Sequence, residues 1–460
     1  MLKYFAALLA LLWSVLGSGP VRALDATVQA MGDRFVASVP SDWRAERGVW
    51  SYLDVEACFT AGTTCYGSNP SSPYGFPDFG TGMDFRIGPN EAVVLFMRTP
   101  PELRYYAFTQ YLFARATSSK PFLFASMSDS LNHHRIRTLG SSAPGTDLYD
   151  QYAVLVWTAD MNTLAGVTAL LSRQRIGESE VNFVPMPIGL PLFMGHGEAD
   201  DTFTLLMRTA LPTVQSQLDV YMAEKPFYVV RVGPNASRPV SPAPIIGFAE
   251  EVTGFTEKAS LANALVSLVA DIKRNYAGRF KFRDQHPVYS QRVGWDCMSD
   301  EADCSGGDNH DALYSQDLNA TLTVKKLTDV VIVAGVNHRR TGKADYISHA
   351  VVDPLKTTGI VAVDDPLLTK QSALFHAGVT APQDPRVRVY DKLYAYAISY
   401  DCGGLSFCLH IPAPTSQKPI GLVAGSPFDI WGRSYVEPRS GVRPDPSEVV
   451  RHQVLLGTSP

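Results

Sequence analysis

The sequence has no excess of positive charge: 40 lysines and arginines stand against 45 aspartates and glutamates, a formal charge of −5. Without a positive field to exchange for condensed counterions, nucleic acid is disfavoured as a partner. Familiar catalytic signatures are also missing. There is no Gly-x-Ser-x-Gly elbow, no Gly-x4-Gly-Lys-Ser/Thr loop, no His-Glu-x-x-His and no Gly-x-Gly-x-x-Gly after a strand, which argues against the common serine-hydrolase, nucleotide and zincin routes. Beyond the first 23 residues no apolar run is long enough to span a bilayer. What is present is 45% hydrophobic residues with 32 prolines, 35 glycines and 20 tyrosines, the composition of a turn-rich, β-containing globular chain of two or three domains.

The N-terminus reads as an export signal. Lys3 precedes an apolar stretch from Tyr4 to Leu16, and Val21-Arg22-Ala23 ends in a small residue suited to cleavage before Leu24. The competing reading is a membrane anchor, but the stretch falls short of the about 20 residues needed for one. The expectation is a secreted or periplasmic protein with no stable membrane anchor. Six cysteines agree with an oxidising compartment, because they fall into three close pairs, Cys58/Cys65, Cys297/Cys304 and Cys402/Cys408. Local disulfides are expected, since the spacings are longer than those of zinc knuckles.

Compared with itself, the chain shows a repeat at an offset near 240. Cys58-x6-Cys65 recurs as Cys297-x6-Cys304, Asn69-x4-Tyr74 as Asn309-x4-Tyr314, Val93-Val94 as Val330-Val331, Tyr106 as Tyr346, Asp129 as Asp365, and Tyr152 to Asp160 as Tyr394 to Asp401. Short β-branched and aromatic runs at Val93 to Met97, Tyr105 to Phe113, Phe122 to Ser126 and Ala153 to Thr158 read as strands. The expected fold is α+β and β-rich, with two tandem duplicated β-sandwich or jelly-roll-like units and intervening amphipathic helices. Three-and-four spacing predicts one helix from Phe203 to Tyr221 capped by Thr202, and another from Leu261 to Tyr276 after Thr256. The expected organisation is a signal peptide over 1–23, a first β-rich copy with a helical C-terminal part over 24–232, a Pro-rich linker and helix over 233–283, and a second copy over 284–460.

At Asn309-His-Asp-Ala-Leu-Tyr314-Ser315, followed by Asp317 and Asp329-Val-Val, the chain resembles an uncharacterised family of β-rich bacterial domains of unknown function. Its signature is Asn-x-Asp-Thr-Leu-Tyr, with a later aspartate and a valine-rich strand leading to an Arg/Gly-x-Tyr-Tyr stretch. Ala312 stands where that signature has threonine, and the first copy retains Asn69, Tyr74, Val93-Val94 and Arg104-Tyr105-Tyr106. The resemblance implies a β-rich tandem architecture and supplies no established reaction.

Titratable groups concentrate in the second copy, where His310 and Asp311 fall opposite Pro70 and Ser71. Histidine can act as acid, base or ligand near neutral pH and a neighbouring aspartate can fix its tautomer, so His310, Asp311, His338 and His349 are the candidate catalytic constellation. Asn309, Tyr314 and Arg339 are the accompanying binding candidates. The oxygen-rich segment containing Asp300, Asp303 and Asp308 has the composition of a calcium-binding loop, against the alternative of a solvated acidic loop held by a disulfide. His133-His134 with Arg135 and Arg137 is a second, anion-binding candidate. Two functions are compatible with these features. One is an exported enzyme acting on a small polar substrate, and the other a non-catalytic protein that holds a small-molecule or glycan ligand between the copies.

Overall fold

A computed structural model describes residues 25–120, 122–187, 191–290, 294, 296, 306–316, 322–369, 375 and 385–460. In the first half, ten strands make one curled sheet: β1 (Trp43–Tyr52), β2 (Tyr74–Asp78), β3 (Ala92–Arg98), β4 (Leu103–Ala114), β5 (Ala125–Ser126), β6 (Leu131–Asn132), β7 (Tyr152–Thr158), β8 (Val181–Pro185), β9 (Thr202–Pro212) and β10 (Phe227–Pro234). Their order is β5-β4-β9-β2-β1-β10-β3-β7-β8, with β6 also paired to β4. The second half contains β11 (Lys281–Gln285), β12 (Val288–Ser290), β13 (Ala312–Gln316), β14 (Leu322–Thr323), β15 (Val330–Val336), β16 (Tyr346–Asp353), β17 (Thr358–Asp364), β18 (Leu393–Ser399), β19 (Cys408–His410), β20 (Pro427–Tyr435) and β21 (Gln453–Thr458). These run β17-β16-β20-β13-β12 and β11-β21-β15-β18-β19.

The second order repeats the first, with β11 and β12 together taking the place of the long β1. Registers repeat as well. Tyr74 pairs with Arg208 as Tyr314 pairs with Arg433, and the parallel pair β7·β8 has its match in β18·β19. The architecture is α+β and β-rich.

Strands form where the sequence is apolar in unbroken runs, because these are buried on both faces. In β3, Val93, Leu95 and Met97 face the interior of the curled sheet, with Phe108 of β4, Trp157 of β7 and Met207 of β9. Ala92, Val94 and Phe96 face outward beneath helices. These are α1 (Ala26–Ser38) and, beyond the short α2 (Val55–Thr60), α3 (Met161–Ser172). α4 (Gln215–Glu224) follows β9. α5 (Ala259–Asn275) buries Leu261, Leu265, Leu268 and Ile272, at the expected spacing, against the outer residues Val330, Ile332 and Ala334 of β15. It begins at Ala259, two residues before the expected Leu261. α6 (His338–Thr341) and α7 (Pro385–Tyr390) are single turns.

One expectation fails. Residues 202–212, read as helical, form strand β9, and only Gln215–Glu224 is helix. β9 is buried on both faces, Phe203, Leu205 and Met207 on one and Thr204, Leu206 and Arg208 on the other. An apolar run of that kind satisfies three-and-four spacing as readily as a helix does.

Cys58 and Cys65 are bonded with Cα atoms 5.9 Å apart, and Cys402 and Cys408 with Cα atoms 5.7 Å apart. Cys297 and Cys304 lie outside the described residues. Among the described residues no helix is long and apolar enough to cross a membrane.

Candidate functional site

The helix-free outer faces of β4/β9 and β16/β20 meet at a seam built from Tyr105, Ala107, Ala210, Ala312, Tyr346 and Tyr435. Each half sends a loop across it. Asn69 donates to Tyr346 Oη at 3.0 Å, and Ser71 Oγ donates to Asp364 at 2.7 Å. In the opposite sense Asn309 donates to Tyr105 Oη at 3.1 Å, and Asn132 donates to Asp311 at 2.9 Å. The Asn-x4-Tyr repeat seen in the sequence thus marks a reciprocal clasp between the halves.

His310 and Asp311 belong to this clasp. His310 is buried, with Nδ1 2.6 Å from Asp129 and Nε2 2.9 Å from Glu251; Arg135 meets the other oxygen of Asp129, and Arg443 shares the Glu251 oxygen with His310. Burial alone would lower the imidazole's pKa, but hydrogen bonds to the two carboxylates raise it above its ordinary value. Asp129 and Glu251 are held low by His310 and their arginines in spite of their own burial. Asp311 is fully buried beneath Tyr105, and burial pushes it up to about 6. Asn309 is held by Ser130 at 3.0 Å. Asp308, the calcium candidate that is described, has both oxygens engaged by the backbone N–H and hydroxyl of Ser126 and is pushed up by burial. Asp300 and Asp303 lie outside the described residues. His133 and His134 both meet Asp345, at 3.1 and 2.6 Å, across the same seam. This places a carboxylate where an anion was expected. Their donor atoms converge within 4.8 Å, a set that could hold a metal ion.

A cleft opens in the seam between β2/β9 and β13/β20, with about 840 Å³ of space, part of it open to solvent. Tyr74, Tyr314, Tyr435 and Trp431 line it, with Arg208 and Arg433. The arginines occupy matched registers and are only 4% and 3% exposed. Arg208 donates to Thr109 Oγ1 and to Tyr111 Oη, at 3.2 and 2.6 Å. Arg433 donates from Nη2 to the carbonyl of Gly67 at 3.0 Å, while its buried Nη1 and the neighbouring Trp431 Nε1 have no acceptor among the described residues. Among the described residues no carboxylate lies within ion-pair distance of either guanidinium, and the only acid lining the cleft is Asp308. A buried unpaired charge costs several kcal/mol, so two of them facing one cavity are poised for an anion. Neither arginine stands out in the sequence. Arg208 is the lone charge of β9, whereas Arg433 shares β20 with Asp429, and the match between them lies in the sheet register opposite Tyr74 and Tyr314.

His338 and His349 lie elsewhere, inside the second half, where a small polar chamber is lined by Tyr289, Ser315, His338, His349, Tyr394 and His452. His338 Nδ1 is 2.9 Å from buried Glu257, and His349 Nε2 is 2.6 Å from Tyr394 Oη. Burial drives His349 far below its ordinary value, and His452 down to about 3, with repulsion from His338 adding to both. Ser315 and Arg433 line both this chamber and the cleft. Of the residues singled out in the sequence, His310, Asp311 and Asn309 therefore share the seam, Tyr314 lines the cleft, and His338 and His349 line the chamber. Arg339 stands apart, 3.7 Å from Asp365 with much of its side chain exposed.

No protein-family model matches the chain, and no curated protein matches it. A crystal structure of an uncharacterized protein from Burkholderia cenocepacia aligns over 95% of this chain and 91% of its own, at 11% identity and a TM-score of 0.40.

Proposed function

We propose that this chain is an exported binding protein for a small organic anion, a carboxylate or phosphate on an apolar or aromatic body, held in the cleft between its halves. The carrying observation is the pair of buried arginines, Arg208 and Arg433, that face the cleft without a carboxylate partner. A planar guanidinium fork matches carboxylate and phosphate geometry, and the tyrosine and tryptophan walls supply the apolar surface such pockets use. Export is supported by the signal-like N-terminus and by two bonded cysteine pairs. The repeated strand order supports descent of both halves from one duplicated unit.

Thermal-shift screening against a panel of aromatic and aliphatic carboxylates, sugar acids and sugar phosphates tests the reading. A ligand at 100 times its Kd stabilises the folded state by about 2.7 kcal/mol, which raises Tm by several degrees. Arg433→Gln should abolish that shift and Arg208→Gln should weaken it. A panel in which no organic anion moves Tm, or a shift that survives both substitutions, would discard the proposal.

A further inference from the structure

Four strands of the second half place one residue each in a single row on the inner face: Tyr289 beside Ser315, Ser315 beside Gly432, and Gly432 beside His349. Gly432 leaves a gap in the row. A Cβ there would lie 2.3 Å from Ser315 Oγ, 3.1 Å from His349 Nδ1 and 3.0 Å from His452 Cε1. Serine hydroxyl and imidazole thus face one another across the missing side chain, with His452 closing the space from β21's side.

The first half serves as an internal control. Its matching row is Tyr52, Gly75, Met207 and Phe108, with Phe227 in the position of His452. There the space is filled with ordinary apolar core. The fold therefore does not require the polar cluster, and the cluster is costly. Among the described residues His349 Nδ1 and His452 Nε2 are both buried without a hydrogen-bond partner, so the desolvation of each is uncompensated.

Tautomers follow from the surrounding hydroxyls. Tyr289 Oη accepts the His452 backbone N–H at 3.1 Å and lies 2.8 Å from His452 Nδ1; where its own proton goes to Nδ1, the His452 proton is on Nε2. His349 Nε2 lies 2.6 Å from Tyr394 Oη, and in the tautomer that donates Nε2–H to this hydroxyl His349 Nδ1 offers a lone pair to the gap.

We infer that Ser315, His349 and His452 form an esterase or acyl-transfer centre, independent of the Gly-x-Ser-x-Gly arrangement, that acts on an ester entering through the cleft. It rests on the binding reading for its entrance. Ser315 Oγ bonds to the ester carbonyl carbon while its proton passes to His349 Nδ1, and the oxyanion accepts from His452 Nε2–H. The bond to the alcohol oxygen then breaks, and the alcohol leaves with the proton from His349. Water attacks the acyl-serine and gives one proton to His349. The C–Oγ bond breaks, Ser315 recovers that proton, and the acid departs. Arg433, which lines both spaces, would anchor an anionic group on the substrate. Apo sites commonly hold nucleophile and base apart until substrate binds.

A neutral alkyl fluorophosphonate tests the centre without calling on the arginines, since labelling forms a Ser–O–P bond and releases fluoride. Intact protein should label once, at Ser315 by peptide mass, and Ser315→Ala should not label. His349→Phe and Gly432→Met install the residues of the first half and should slow labelling at least 100-fold, with folding checked by circular dichroism. Absence of label at Ser315 in the intact protein, or an unchanged rate in folded His349→Phe, would overturn the assignment. If Ser315 labels but no organic anion shifts Tm, only the binding reading fails.

Discussion

Replacing His310 by alanine should cost about 3–5 kcal/mol of stability at pH 6, because it leaves Asp129 and Glu251 facing each other in the seam without their shared cation. The pH dependence separates this from simple loss of packing. His310 has a folded pKa above its ordinary 6.5, so its contribution is complete below pH 6.5 and is lost as pH rises through the folded value. Asp129 and Glu251 have folded values below 3.8 and 4.5, so their contribution is complete above those values and is lost as pH falls through the folded ones. The gap between wild type and His310→Ala should therefore be widest between about pH 4.5 and 6.5 and should narrow by pH 9. Urea unfolding at pH 6 and pH 9 measures both. A gap under about 1 kcal/mol at pH 6, or one that does not change with pH, would remove the imidazolium from the account of the seam.

That expectation differs from what the sequence suggests for the same residue, and the reason is distance along the chain. His310 and Asp311 are conspicuous because they interrupt a repeat, but their partners are Asp129, Glu251, Asn132 and Tyr105, which no local pattern links to them. The strands β3, β4, β7 and β15 were legible, since β-branched and aromatic runs have few other ways to bury both faces. The sequence repeat follows the structural one only to within a residue, and in a strand one residue exchanges the faces. The sequence repeat aligns Tyr106 with Tyr346, whereas the sheet registers place Tyr105 there: Tyr105 opposes Ala210 as Tyr346 opposes Tyr435. Tyr105 and Tyr346 face the seam, while Tyr106 faces the core of its own half. The same slip hid the chamber. The offset near 240 sets His349 against Thr109 or Gln110, but its structural match is Phe108, and only that match shows that polar groups replace an apolar core.

Acid should expose the same replacement as a stability difference. Burial, with repulsion from His338, lowers His452 from 6.5 to about 3, so the folded chain keeps this ring neutral at pH values where the unfolded chain protonates it. A lowered histidine stabilises nothing extra at neutral pH and penalises folding increasingly as pH falls from 6.5 towards 3. At about 1.4 kcal/mol per pH unit, the penalty from His452 alone reaches roughly 3 kcal/mol at pH 4.5. His349 contributes in the same direction. Asp311 and Asp365, pushed up to about 6 by burial, act in the opposite sense, since they favour the folded state as they protonate. The total acid response is thus a difference of large terms, and the informative quantity is the comparison with His452→Phe, which installs the residue found at the matching place in the first half. Relative to wild type, this variant should gain about 3 kcal/mol on going from pH 7 to pH 4.5, measured by urea unfolding at the two values. A wild-type-minus-variant difference that stays constant across that range would mean that His452 is hydrated or charged in the folded protein, and that the chamber is not the dry, neutral space from which Ser315 and His349 would work.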